Sequence, residues 1–288
     1  MTASTNVISL LRDIPRHIAF TARLEWLEHR ETQTREDVMR HSDDVAKVSA
    51  ALARVVGFDD EFVSALKDAA RWHDIGKLAT PDAILNKAGK LTNAEKIVMD
   101  RHASDGAMLL GDDAPQIWKD VVRFHHERYD GYGYNGLKGE RIPMSARLVA
   151  IADVFDALTA ERSYKRGMSV ETALSLMAAN VESPGFGRRA FDPVFLRAFV
   201  ADYLTKPDVT FSPDCRKTLQ DFALSNPMDD FNGDKYANEG WLLKPDGKRL
   251  KYQLAESGND RLQAIYSQTG ELLFDASRPE ENNRCKFG

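Results

Sequence analysis

From residue 41 to about 204 the chain reads as one helical segment after another, and five of those segments carry histidine or aspartate among apolar residues. That pattern restricts the fold more than any other feature. A carboxylate such as Asp153, in the otherwise apolar "SARLVAIADVFDAL", is costly to bury unless it is paired or bound to a metal. Helices that turn polar side chains toward a shared interior are how metal sites inside bundles are built. The expected fold class is therefore mainly α, a helical bundle around a metal centre.

The individual segments support this. "DDEFVSALKDAARWHDIGK" places Phe62, Leu66, Ala69, Ala70 and His73 at helical spacing, with Gly76 and Pro81 as the stop. Thr92 and Glu95 predict a capping box ahead of "KIVMDRHASDGAMLL". "QIWKDVVRFHH" keeps Ile117, Val121 and His125 on one face, and the segment around Asp153 aligns Val149, Ala152 or Asp153, and Asp156. Residues 1–36 read as an N-terminal helical segment in two pieces around Pro15. Residues 37–204 form the main domain. Residues 205–288 read as a Pro-rich connection around a short helix, followed by a small C-terminal antiparallel β-sheet appendage. Its signals are "WLLKPDGKRLKYQL" and "RLQAIYSQTGELLF", each two short strands around a tight turn.

Five of the seven histidines, His41, His73, His102, His125 and His126, lie in the helical section, and Asp74 and Asp153 accompany them. Any one alone would more often be a satisfied core or capping residue; seven on several helices point to metal. On a helix, neighbours point about 100° apart, so His125 and His126 are expected to serve different ions. Imidazole with carboxylate and no thiolate suits iron, manganese, cobalt, nickel or zinc, whereas calcium would want oxygen donors only. Seven ligands exceed one tetrahedral site, so two divalent ions are the natural count, with Asp74 as the bridging carboxylate. Two ions about 3.5–4 Å apart generate hydroxide at neutral pH and clamp a phosphoryl group for in-line displacement. Lys77, one turn past His73, could neutralise charge on the phosphorus; as a plain residue it would suit a helix C-terminus.

Composition removes other classes. The 288 residues carry a net charge of −5, so no broad basic face advertises DNA or RNA as a polymer partner. The two cysteines, Cys215 and Cys285, make neither a disulfide framework nor a metal motif. The N-terminus lacks a secretory pattern, and no run approaches the ~18 apolar residues of a membrane span, so a reducing cytoplasm is expected.

"HDIGKLATPDAILNKAGKLT", "HHERYDGYGYNGLKGERIP" and "ADVFDALTAERSYKRGMS" resemble the HD-GYP family, a branch of the HD-domain metal-dependent phosphohydrolases. The similarity runs from about Asp37 to Phe199. It implies an all-helical HD-type fold, a binuclear or trinuclear centre often of iron or manganese, and phosphodiesterase activity on cyclic dinucleotides. Cyclic di-GMP opened to pGpG, and sometimes on to GMP, is the typical reaction.

Carried over by residue, the resemblance implies His41, His73, Asp74, His102, His125, His126 and Asp153 as metal ligands. Lys77 matches the lysine that contacts the scissile phosphate. Arg162 and Lys165 match basic residues that hold ligand phosphates, with ordinary surface charge as the alternative, and Tyr134 is the loop's candidate aromatic contact to a base, with a plain loop anchor as the alternative. Three departures follow. The family's Gly-Tyr-Pro is Gly133-Tyr134-Asn135, which frees φ and adds a backbone donor, so a less rigid loop is expected. The usual Arg-Pro-Tyr is Arg162-Ser163-Tyr164. The glutamate that supports a third metal in some members is Asp37, one methylene shorter. Competing readings are a phosphohydrolase of the same superfamily acting on another cyclic or linear nucleotide, and a cyclic dinucleotide sensor without turnover. A homodimer or a signalling-protein partner stays open.

Overall fold

The computed structural model describes residues 36–161, 166–179, 187–225 and 227, together with the backbone of four strands between 239 and 275; the side chains of 36–39 and of the strands are outside it. The expected N-terminal helices before residue 36 lie outside the described residues, as do Arg162, Lys165 and the side chain of Asp37.

Ten α-helices make up the described body: α1 (Glu36–Val55), α2 (Asp60–Arg71), α3 (Asp82–Leu85), α4 (Asn93–Asp100), α5 (His102–Leu110), α6 (Gln116–Phe124), α7 (Met144–Thr159), α8 (Val170–Ala178), α9 (Pro193–Thr205) and α10 (Pro213–Leu224). α1 packs on α2, α7 and α9; α6 bridges α2, α5 and α7. One apolar core runs through them, from Leu52 and Leu66 through Val121 and Leu148 to Phe195 and Phe199.

Capping chemistry explains several boundaries. Asp59 accepts the Phe62 N–H at the start of α2, and Asp60 and Glu61 complement the helix dipole there. The capping box forms as the sequence predicts: Thr92 accepts from Glu95 N–H, and the Glu95 carboxylate accepts from Thr92 N–H. α2 departs from expectation by ending at Arg71, before the glycine stop. His73 and Asp74 therefore lie in a turn ahead of a 3-10 segment, Ile75–Ala79, with Trp72 and His73 N–H returning to Ala69 and Ala70 carbonyls.

α7 is buried on nearly every side, Met144 through Asp153 included, as a helix through the middle of a domain must be. Its two carboxylates at the buried C-terminal half, Asp153 and Asp156, are 9% and 7% exposed and face the other helices' histidines.

One close approach sets the geometry between α5 and the 3-10 segment. A Cβ on Gly76 would lie 1.8 Å from the His102 carbonyl oxygen and 2.6 Å from Gly106 N. A Cβ on Gly106 would meet a Val122 methyl at 2.7 Å and Gly76 N at 3.0 Å. Glycine at both positions lets backbone rest on backbone, which brings His102 beside Asp74.

The helix placed by composition in the connection after 204 is α10, and it packs on α8 and α9 with Leu219, Phe222 and Ala223 buried. Four strands follow: β1 (Glu239–Leu243), β2 (Arg249–Leu254), β3 (Leu262–Tyr266) and β4 (Leu272–Asp275), paired antiparallel in that order. Their side chains and connections lie outside the described residues, so the sheet as an appendage to the helical body stays a proposal.

Candidate metal centre

The structure gathers all seven residues singled out as ligands, from α1, the α2 turn, α5, the end of α6 and α7. Asp74, 4% exposed, stands in the middle with its oxygens turned to opposite sides. Oδ2 lies 3.3 Å from His73 Nε2 and 3.9 Å from His41 Nε2. Oδ1 lies 3.3 Å from His102 Nε2 and 3.8 Å from His125 Nε2. Asp153 Oδ1 completes the first side, 3.2 Å from His41 Nε2 and 3.8 Å from His73 Nε2. His126 completes the second: one donor atom each from Asp74, His102, His125 and His126 falls within 4.8 Å of the others.

His125 and His126 fall in the same group of donor atoms. The 100° argument needs both on a helix, but α6 ends at Phe124 and His125 is its C-cap. Past that point the chain turns, and the two rings approach to 4.1 Å between centroids.

The other ring nitrogens are already engaged. His73 Nδ1 donates to the Ala70 carbonyl at 2.8 Å, His102 Nδ1 to the Met99 carbonyl at 2.8 Å, and His125 Nδ1 to the Val121 carbonyl at 3.0 Å. His41 Nδ1 donates to Asp156 Oδ2 at 2.6 Å. A carbonyl or carboxylate partner requires the proton on Nδ1, which turns the Nε2 lone pair inward, as metal-ligating histidines are commonly arranged.

Protonation follows the same division. Burial, reinforced by the neighbouring His126, His73 and His102, holds His125 well below its ordinary value. Burial pushes His126 down to about 4 and lowers His102. Asp74 stays well below the usual carboxylate range: burial would raise it, but the Lys77 and His73 charges win. Asp153 is likewise lowered, since the His41 hydrogen bond and the His73 charge overcome burial. His41 is the exception. Burial pulls it down, yet Asp153 and Asp156 raise it to about 9.

The lowered imidazoles of His102, His125 and His126, facing the anionic Asp74, are a donor set suited to a divalent cation. Two buried atoms in the cluster, His73 Nε2 and Asp74 Oδ1, have no hydrogen-bond partner. An unpartnered polar atom in so buried a place is costly, and a cation between the two sides would satisfy both. The residues present fit a metal centre.

Lys77 Nζ donates to Asp74 Oδ2. Tyr134 stands at the rim, its ring 4.7 Å from that of His126 and 6.2 Å from that of His102. Burial, then a side-chain hydrogen bond to Asp100, pushes its phenol upward. The loop carrying Tyr134 is tied to Glu127 by hydrogen bonds. The Asn135 N–H that proline would lack donates to Glu127 Oε1 at 2.6 Å, and the Asn135 amide reaches the same oxygen at 2.9 Å. The donor that Asn135 adds is thus used.

Three contributors escaped the sequence reading. Asp156 sits one helical turn from Asp153, a face position noted without a role. Glu127, directly after the histidine pair, was given no role. The Gly76–Gly106 contact joins residues far apart in the chain.

A family profile described as HD domain matches residues 17–189, more than half of the chain. The chain belongs to the HD-domain family. The HD-GYP resemblance is in keeping with relatives named as cyclic di-GMP and cGAMP phosphodiesterases. It is 44% identical over 163 residues to the cyclic di-GMP phosphodiesterase PA4108 of Pseudomonas aeruginosa, covering 56% of this chain and 38% of that one. It is 42% identical over 153 residues to the cyclic di-GMP phosphodiesterase response regulator RpfG of Xanthomonas campestris, covering 52% and 39%. It is 38% identical over 160 residues to the 3'3'-cGAMP-specific phosphodiesterase 1 of Vibrio cholerae, covering 54% and 36%. The HD-domain chain therefore spans less than half the length of these relatives. Among the described residues, no helix is long and apolar enough to cross a membrane.

Proposed function

We propose that this HD-domain chain is a metal-dependent phosphodiesterase that hydrolyses a cyclic dinucleotide, with cyclic di-GMP opened to pGpG as the first substrate to test. The observation that carries the reading is Asp74, one carboxylate with an oxygen facing each of two imidazole clusters. The names of the relatives, cyclic di-GMP and cGAMP phosphodiesterases, support the substrate class.

His41, His73 and Asp153 would hold one divalent ion and His102, His125 and His126 the other, with Asp74 shared. Iron or manganese suits this donor set, and Asp37 is the candidate for a third site. When bound, such ions supply Lewis-acid activation of water and positive charge beside a phosphoryl group. The chain's own residues do the rest. Nδ1 contacts fix the imidazoles, and the buried walls exclude bulk water. Lys77 places its ammonium where charge builds on the phosphoryl oxygens. In the net reaction the water oxygen bonds to phosphorus, the P–O3′ bond breaks, and a water proton ends on the departing 3′ oxygen. Arg162 and Lys165 would hold the ligand phosphates, and Tyr134 would contact a base. Residues 37–204 form the catalytic domain in this reading. The C-terminal strands form a small appended sheet.

Anaerobic turnover with Mn²⁺ or Fe²⁺, over a panel of cyclic and linear nucleotides, tests this. Opening of cyclic di-GMP is expected. Turnover of linear nucleotides alone would move the chain to a different phosphohydrolase class, and tight binding without turnover would make it a sensor.

A further inference from the structure

We propose that Glu127 and Asn135 are positioning residues, a clamp that holds the loop 133–137, and Tyr134 with it, against the His102–His126 side of the metal centre. Glu127 follows the histidine pair directly and is 4% exposed. Its carboxylate faces inward along the loop and accepts three donors: Asn135 N–H at 2.6 Å and Asn135 Nδ2 at 2.9 Å on Oε1, and Leu137 N–H at 2.7 Å on Oε2. A buried carboxylate with both oxygens occupied fixes whatever donates to it.

The neighbouring geometry gives the clamp its direction. A Cβ on Gly133 would come within 2.5 Å of Glu127 Cα and 2.8 Å of the His126 carbonyl oxygen, so the loop lies directly on the backbone that carries the histidine pair. Tyr134, between Gly133 and Asn135, has no freedom to leave that surface while both neighbours are held. Its ring rests 4.7 Å from that of His126. Proline at 135 would supply neither the N–H nor the amide, so two of the three donors come from the residue by which this chain departs from Gly-Tyr-Pro. The clamp replaces ring stiffness with hydrogen bonds.

Two independent measurements test it on the full metal-loaded chain. Amide exchange read by mass spectrometry with fragmentation to single residues, which a paramagnetic ion does not disturb, reads the clamp directly. In Glu127→Gln the side chain can offer only one carbonyl oxygen, and Asn135 and Leu137 amides should exchange at least about tenfold faster. Tyr129 and Gly139 amides, bonded to Ala190 and Tyr129 carbonyls, should not change. Unchanged exchange at 135 and 137, or equal acceleration at 129 and 139, overturns the clamp.

Asn135→Ala, which keeps the N–H and loses only the amide, guards against a Glu127 variant that fails to fold. It should speed exchange at Leu137 and raise KM for the cyclic dinucleotide about three- to tenfold, with kcat and metal content retained. Loss of metal, or a fall in kcat with KM unchanged, would overturn the positioning role. The kinetic arm rests on the phosphodiesterase reading. Absence of turnover in the parent chain would sink that reading and leave the exchange arm to decide the clamp.

Discussion

Asp156 Oδ2 accepts the His41 Nδ1 proton at 2.6 Å, one helical turn beyond Asp153, whose Oδ1 faces the same ring's Nε2 at 3.2 Å. Asp156 thus orients the His41 ring from the side opposite Asp153. Asp156→Ala should weaken metal affinity about 10- to 100-fold while leaving helix content unchanged. Metal titration with circular dichroism on the same samples checks it; unaltered affinity would make the contact ornamental to the site.

Asp74→Ala should empty both sides of the centre and abolish turnover, because one carboxylate serves both imidazole clusters. Elemental analysis of the purified variant is the measurement. One ion retained per chain would show that the second cluster stands without Asp74.

Lys77→Ala has a different signature. Its ammonium contacts Asp74 without being a donor to a cation, so metal content should persist while kcat falls about 10²-fold. A metal-depleted variant would assign Lys77 to the support of Asp74 instead.

Glu95 gives a pH-dependent outcome away from the centre. The Lys87 hydrogen bond, with the Thr92 contacts behind it, lowers its carboxyl to about 2 from an ordinary 4.5. The folded pKa is depressed, so its stabilising contribution is complete above 4.5 and fades as pH falls toward 2. Glu95→Gln should reduce the slope of stability against pH in that window and leave the slope near neutrality alone. Denaturant melts across the acid range read this.

Much of the centre was legible because its residues are expensive where they stand. Asp153 in an apolar helix has ordinary explanations when taken alone, but together with histidines on several apolar faces it makes a set that pointed to a cation. The capping box at Thr92 was equally plain, since its spacing is its mechanism. Two readings leaned on a backbone path that sequence alone does not give. The histidine pair was assigned to separate ions on helical geometry that stops at Phe124, and the loss of proline at 135 was read as slack. Local preference cannot say that Glu127 lies opposite the freed N–H. Arg162, Lys165 and the Asp37 side chain lie outside the described residues.

The Gly76–Gly106 crossing has a mechanical consequence. Side chains that meet across a gap can shift rotamers to absorb an error, but peptide groups that meet have no such play. The opening between Asp74 and His102 is therefore gauged by main-chain dimensions, as a jig sets the spacing of parts it never joins. Two residues without side chains thus help set the spacing between Asp74 and His102 that any bound cation would have to fit.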